Sequence, residues 1–439
     1  MKVMKFGGTS VGSPGRMKEV ARLCTSQTGK KLIVLSALSG TTNSLVEIGN
    51  LLALQKKDDA RAMIQELEKH YRIFIEKLFA EKDRTSAVEA ILENFEFLNI
   101  ILKISYSESI QKDILAQGEL LSTKLFSEYL RSRGTPHLLL PALEFMQLNE
   151  EGEPAMEKIS HRLRELIKVE DIDIYITQGF ITKNHKGEVD NLKRGGSDYT
   201  ASIIAAVLNA DVCEIWTDIS GMHNNDPRVV EGTHPVEQLS FEEAAELAYF
   251  GAKILHPASI LPARLYNIPV RLLNTMEPEA KGTMISSRTS GSGVKAIAAK
   301  DNITSIRIIS GRMLLAYGFL RRVFEIFENF RTPIDMITTS EVAVSLTIDS
   351  DFHLSQIISE LKKLGTVDYD QEQTIVAVVG DNISVEPELK KRIFSALSGI
   401  PVRMVSYGGS PNNISILISQ MHKSETLRAL NRELFARNS

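Results

Sequence analysis

Between residues 1 and 285, short β-branched runs alternate with long amphipathic segments, and this alternation restricts the fold more than any other feature of the chain. "KLIVLS" (31–36), "IDIYITQGF" (172–180), "VCEIWT" (212–217) and "IPVRLL" (268–273) read as buried strands. The segments between them have helical spacing, as in 107–133, where Ile110, Ile114, Leu121, Leu125 and Tyr129 share one face. Strands separated by helices need crossovers, so the expected class is α/β, a mostly parallel sheet covered by helices on both faces. Ser240 and Glu243 of "SFEE" have capping-box spacing and start a further helix running to about Gly251. The 439 residues exceed one compact core and point to about two to three domains.

The texture changes at "SSRTSGSGV" (286–294), a Ser/Gly linker. Beyond it a pattern of helix, Pro-turn, strand, polar turn and strand occurs twice. The first copy runs from "FLRRVFEIFENF" (319–330) through Pro333 to "VAVSLTI"; the second runs from "ELKKRIFSALSG" through Pro401 to "NISILIS". Each copy reads as half of a small βαββαβ module. The strand 303–309 precedes the first copy and "TIVAVVG" (374–380) precedes the second, so the modules are expected to be nested, with 303–309 in the second. The resulting division is 1–290 for the larger domain and 296–439 for the tail. Within the tail, one module spans about 311–373 and the other about 296–310 with 374–439.

Composition narrows the function classes. A net charge of −4, with no dense basic run carrying interleaved aromatics, argues against nucleic acid as a partner. Cys24 and Cys213 are far apart and form neither a disulfide framework nor a zinc motif, so no protein-held metal is expected and the setting is a reducing cytoplasm. The first residues lack the apolar run and small-residue cleavage site of a signal peptide. No stretch approaches the roughly 20 apolar residues of a membrane span, so no membrane partner is expected.

Five stretches could carry chemistry. In "VMKFGGTSVG" (3–12), Gly7 and Gly8 would let backbone N–H groups line an anion beside Lys5. Both the GxxxxGK[ST] loop and the GxGxxG fingerprint are absent, and read alone the pair is better explained as a turn. In "LKRGGSDYTASIIAAVLNA" (192–210), Ser197 is placed as the N-cap of a helix whose N-terminus could face an anion, with Arg194 ahead of it. Asp198 there has a sufficient explanation as a first-turn acid. "SALSGTTN" (36–43) carries hydroxyls that usually cap, and "WTDISGMHNNDPRV" (216–229) holds an ordinary turn signal. "FGAKILHP" (250–257) supplies a second lysine, Lys253, otherwise a solvent-facing side chain. Jointly the weight shifts, because ligands of open α/β sheets gather at the carboxyl ends of strands. Lysines, Gly-Gly turns and an arginine collected there would suit a phosphate together with a carboxylate.

"KFGGTSV", "SALSGTTN", "QGEL", "RGGSDYTA", "WTDISG…DPR" and "EEAAELAYFGAKILHP" occur in the order seen in aspartate kinases, and residues 5–257 resemble that family, of the amino-acid-kinase fold. The stretch 318–349 resembles the regulatory ACT domains of its lysine-sensitive form. The resemblance implies that Lys5, Phe6, Gly7 and Gly8 bind ATP phosphates, with Lys5 following the transferring charge and Asp198 organising the lysines and the substrate amino group. It implies further nucleotide contacts at Thr217, Asp218, His223, Arg228, Lys253 and Ile254. Ser36, Thr42, Glu119, Arg194, Gly195, Gly196 and Ser197 would line the aspartate pocket, Arg194 clamping the α-carboxylate and Glu119 facing the ammonium. The acceptor would be the aspartate β-carboxylate, the co-substrate ATP with Mg²⁺ held largely by its own oxygens, and the product an acyl phosphate. Met313, Ala316, Gly318, Phe319, Leu320, Asp335, Thr339 and Ser340 would bind an amino-acid effector, expected to be lysine, across a homodimer interface formed by the ACT modules. Without the resemblance, Asp335 reads as a strand-edge residue after the Pro333 turn.

The chain departs from the family pattern at three places. Lys193 stands where glycine is frequent, His223 where a tyrosine commonly packs on the nucleotide, and Ala316 where lysine-sensitive relatives often offer a serine. Two other readings compete: a kinase of another amino-acid carboxylate such as glutamate, and a non-catalytic amino-acid sensor. "QGEL" and "RGGSDYTA" weigh against the first. Joint retention of Lys5, Asp198, Arg194 and Lys253 weighs against the second, since a sensor needs none of them.

Overall fold

The computed structural model describes residues 1–168, 172–192, 195–251, 255–287, 293–311 and 317–435. The chain divides into two compact units, Met1–Met222 with Ile254–Arg288, and His223–Lys253 with Thr289–Ser439. Residues 223–253 therefore group with the tail, although they fall inside the stretch read as the larger domain.

In the first unit the strands are β1 (Lys2–Phe6), β2 (Lys31–Leu35), β3 (Leu138–Leu140), β4 (Ile174–Gln178), a hairpin of β5 (Ile181–Lys183) and β6 (Val189–Asn191), and β7 (Val212–Thr217). The chain then enters the second unit, forming the short β8 (Gln238–Ser240), and returns as β9 (Val270–Asn274) and β10 (Thr283–Ser286). The main sheet runs β3-β4-β2-β1-β7-β9-β10, parallel except where β10 pairs antiparallel with β9. β2 and β4 are buried at every position, which is why their stretches read as near-continuous apolar runs rather than alternating ones. The helices Lys57–Leu78, Arg84–Ile101 and Glu108–Ser132 share one core with the central strands, through residues such as Tyr71, Phe95, Leu125, Met4 and Ile33. β1 is central, so its carboxyl end, Lys5-Phe6-Gly7, stands at the sheet's midline where strand ends from both sides converge.

The second unit holds an antiparallel sheet of β11 (Gly293–Ile309), β12 (Ile337–Thr339), β13 (Ala343–Ile348), β14 (Thr366–Asp381), β15 (Val402–Ser406) and β16 (Asn413–Ser419). Their order is β12-β13-β11-β14-β16-β15. β11 and β14 are long enough to serve both modules. Residues 304–309 pair with β13 and with the start of β14, whereas 293–300 pair with 375–381. A register shift between Lys300 and Ile303, with Asn302 at φ 59°, separates the two halves. The expected placement of 303–309 in the second module is thus corrected: Ile306 and Ile308 pack with Phe319, Val323 and Leu346 of the first, and Ile297 packs with Val376, Ile393 and Ile416 of the second. One strand passes from one core to the other, and the polar triplet Lys300-Asp301-Asn302 marks the crossing. With that correction each module is βαββαβ, the second taking its last strand from earlier in the chain.

The capping box at Ser240 forms as its spacing predicts. The Glu243 backbone N–H donates to Ser240 Oγ at 3.0 Å, and the Ser240 N–H donates to Glu243 Oε2 at 2.7 Å, starting the helix Phe241–Tyr249.

Candidate active site

The first unit places Lys5 and Asp198 together across the sheet, Nζ to Oδ1 2.5 Å, both largely buried. Lys5 ends β1, and Asp198 lies in the first turn of the helix Gly196–Leu208. A carboxylate at a helix N-terminus is favoured by the exposed N–H groups, and here it also holds the lysine in place. Beyond Lys5, the Gly7 N–H donates to the Trp216 carbonyl at 3.3 Å, and the short helix Gly8–Val11 follows. A Cβ on Gly7 would stand 3.5 Å from Lys5 Nζ, and one on Gly8 would press to 2.9 Å from the Ala37 carbonyl oxygen. The glycine pair thus keeps backbone open beside the lysine and lets the turn seat against the end of β2.

A cleft of about 360 Å³ opens next to this turn, lined by Gly8, Ser36, Thr42, Glu119, Gly196 and Ser197 among others. Ser36 Oγ donates to Ser197 Oγ at 2.9 Å, and Ser122 Oγ anchors the Ser36 carbonyl at 2.8 Å. Ser197 was expected as an N-cap; the cap is instead Gly195, at φ 66°, and Ser197 lies inside the helix with its hydroxyl turned to Ser36. Two glycines in left-handed conformations, Gly195 and Gly196, start the helix before Ser197 is reached. The hydroxyls of "SALSGTTN" likewise do not cap: Gly40 precedes the helix Thr41–Ala53 without a side-chain cap, which leaves Thr42 on the cleft.

Glu119 reaches the cleft from the helix Glu108–Ser132. The Ala37 N–H donates to its Oε1 at 3.2 Å, while its Oε2 is buried with no hydrogen-bond partner. Burial pushes its carboxyl up to about 8, against a smaller opposing pull from the Ala37 N–H. An unpartnered buried oxygen on a cleft-lining side chain is an unsatisfied acceptor in the described structure.

The cleft also uses residues that the sequence did not single out, among them Asn43 and Phe180. Phe180 has φ 64°, rare for an aromatic residue, and its N–H donates to Thr200 Oγ1 at 2.9 Å. Gly179 before it is dictated by space, since a Cβ there would fall 2.3 Å from Ser197 Cβ. The signal available was a glycine-aromatic pair at the end of a buried strand.

At the end of β7, Thr217 Oγ1 donates to Asp218 Oδ1 at 3.1 Å, leaving Asp218 exposed. His223 and Arg228 belong to the second unit. His223 Nδ1 lies 3.1 Å from Thr233 Oγ1, and burial lowers its basicity. The Arg228 guanidinium grips Asp226 at 2.9 and 2.8 Å. Lys193, Arg194, Lys253 and Ile254, and in the tail Met313 and Ala316, lie outside the described residues.

Of the expected effector positions, Gly318 starts the helix Phe319–Asn329 at φ 80°, Phe319 is core and Leu320 is partly exposed. Thr339 and Ser340 line a groove of about 300 Å³ with Arg307 and Arg403. Asp335 is not among that groove's lining residues. It stands beside the edge strand β12, its N–H donating to the Thr347 carbonyl at 2.9 Å, with its side chain buried in an ion pair with Lys300.

A parallel α/β unit with a lysine-carboxylate pair at its strand ends, followed by an ACT-like tail, defines an amino-acid kinase under regulatory control. The chain matches the amino acid kinase family over residues 1–274 and the ACT domain over 376–434. It is 34% identical to the lysine-sensitive aspartokinase 3 of Escherichia coli over 446 residues, 99% of each chain. Solved structures of E. coli aspartokinase III are similar throughout. The complex with aspartate and ADP (R-state) gives a TM-score of 0.78 at 32% identity, covering 99% of this chain and 100% of that one. The complex with lysine and aspartate (T-state) gives 0.79 at 33%, with the same coverage. The chain belongs to the amino acid kinase family, and within it to the aspartate kinases. Among the described residues no helix is long and apolar enough to cross a membrane.

Proposed function

We propose that the chain transfers the γ-phosphoryl group of ATP to the β-carboxylate of L-aspartate, giving 4-phospho-L-aspartate and ADP, as a cytoplasmic homodimer joined through its ACT modules and inhibited by lysine. The observation that carries the chemistry is the Lys5–Asp198 pair at 2.5 Å beside the open Gly7-Gly8 backbone. A β-carboxylate oxygen attacks the γ-phosphorus, the bond to the β,γ-bridging oxygen breaks, and ADP carries away the electron pair. The attacking carboxylate is already ionised near neutral pH, so no general base is required. What the protein must supply is position and positive charge along the transferring group. Lys5 Nζ supplies the charge, Asp198 fixes where that ammonium points, and the glycine turn admits the phosphates.

Glu119 takes the substrate ammonium on its unpartnered oxygen, with Ser36 and Thr42 beside it and Arg194 on the α-carboxylate. Thr217 and Asp218, at the end of β7, add nucleotide contacts from the same unit. Among the described residues no cluster of three or more His, Cys, Asp or Glu side chains offers a metal cage. Mg²⁺ enters on the nucleotide's own oxygens, and no step is assigned to it. The test is ATP, Mg²⁺ and hydroxylamine with either L-aspartate or L-glutamate, trapping acyl phosphate as hydroxamate. Hydroxamate from aspartate is expected; its absence, or a preference for glutamate, overturns the reading. Titrating lysine and threonine into the same assay identifies the effector.

A further inference from the structure

Outside the cleft, a cluster of charged side chains built on the buried Asp335 joins four parts of the second unit. Lys300, at the register shift in β11, places Nζ 2.8 Å from Asp335 Oδ1 and 2.8 Å from Asp349 Oδ2. The same ammonium stands 4.6 Å from the centre of the Tyr249 ring, and the Tyr249 hydroxyl donates to Asp335 Oδ1 at 2.8 Å. Asp335 follows the Pro333 turn, with its N–H bonded to the Thr347 carbonyl at 2.9 Å, and Asp349 follows β13. Tyr249 ends the helix that begins after Ser240. The Asp335 side chain is only 1% exposed, and its Oδ2 has no hydrogen-bond partner.

Two features make this cluster a receptor rather than inert packing. Two carboxylates face one ammonium, so the group keeps an excess negative charge that a second cation can neutralise. The orphaned Oδ2 is a buried acceptor with nothing to accept, while Lys300 and the Tyr249 hydroxyl both occupy the other oxygen, Oδ1. Burial alone would make Lys300 easier to deprotonate, but the two carboxylates outweigh it and hold the ammonium protonated.

We propose that Lys300 is a tethered ammonium occupying the Asp335 carboxylate, so that an external primary ammonium binds there only by displacing Lys300 and loosening Tyr249 with it. This rests on reading the tail as an amino-acid-sensing module, and it adds the step by which sensing is transmitted. Two positions beyond Tyr249, a Cβ on Gly251 would fall 2.2 Å from the Ala299 carbonyl oxygen, so the chain leaving this helix lies tightly against β11 at Gly251. Displacing Lys300 therefore acts on the end of the helix Phe241–Tyr249, which Lys253 follows in the sequence.

The test uses the full chain and calorimetric titration with n-butylammonium, 1-butanol and L-lysine. Lys300→Met keeps the apolar stem and removes the competitor, and it should bind n-butylammonium and L-lysine at least about tenfold more tightly than the unaltered chain. 1-Butanol should gain nothing, and adding Asp335→Asn should abolish the gain. Equal affinities in the two chains, or a gain that survives Asp335→Asn, overturns the proposal. The unaltered protein gives an independent readout: backbone amide exchange at the end of the helix Phe241–Tyr249 should accelerate at saturating L-lysine. An unchanged rate also counts against displacement. Neither measurement needs turnover, so a chain that failed to phosphorylate aspartate would refute the kinase reading without deciding this one.

Discussion

Titrating Glu119 asks whether a buried carboxyl receives the substrate ammonium. Its carboxyl is pushed up to about 8 because burial removes water from one oxygen and leaves it unpartnered. At pH 7 about one molecule in eleven of the free protein then carries the ionised, ammonium-binding form. Aspartate affinity should be about tenfold below its high-pH plateau at pH 7 and about a hundredfold below it at pH 6. Binding at pH 7 should also release about 0.9 proton per aspartate, because the ammonium draws Glu119 into its charged form. Calorimetry in buffers of different ionisation enthalpy measures both quantities. Glu119→Gln should bind weakly and lose the pH slope together with the proton release. Stability carries the same signature with a fixed sign. The folded chain keeps this proton up to about pH 8, whereas the unfolded chain loses it near 4.5, so the fold binds more protons in that window and weakens as pH rises through it. The full shift corresponds to at most roughly 5 kcal/mol. Affinity that is flat between pH 6 and 8, or a slope that persists in Glu119→Gln, would refute the assignment.

Lys5→Ala should fold, as judged by circular dichroism, yet lose on the order of 10²–10³-fold in kcat, the scale of removing one charge-stabilising group; near-normal turnover in the folded variant would remove Lys5 from the chemistry. Gly179→Ala forces a Cβ to within 2.3 Å of Ser197 Cβ and should cost about 1–3 kcal/mol in denaturant unfolding while raising the KM for aspartate. Ser240→Ala breaks one half of the capping box and should cost about 1 kcal/mol, read from the midpoint of the transition of the second unit.

The parallel sheet was legible because its strands are buried on both faces. "VCEIWT" needs no alternation to be read as β7, and the Ser240 box is a strictly local signal. Ser197 was misplaced because a residue following two glycines resembles a cap, and only their left-handed conformations show that the helix has already begun. The allocation of 303–309 was misread because β11 continues as one strand through the polar triplet Lys300-Asp301-Asn302, which marks a change of core rather than the end of a strand. In the cleft, Glu119 could be named from "QGEL", yet its orphaned oxygen depends on which backbone N–H arrives from residue 37. Lys300 carried no sequence signal at all. Its partners lie 35 and 49 positions ahead and 51 behind, and only the fold gathers them.

The most direct test of carboxylate phosphorylation follows the oxygen. With L-aspartate labelled with ¹⁸O in its β-carboxylate, incubation with ATP and Mg²⁺ and trapping with hydroxylamine should release inorganic phosphate bearing one ¹⁸O. The carboxylate oxygen that attacked phosphorus leaves with the phosphate when hydroxylamine attacks the carbonyl. Phosphate free of label, showing ATP hydrolysis by water alone, would contradict the account.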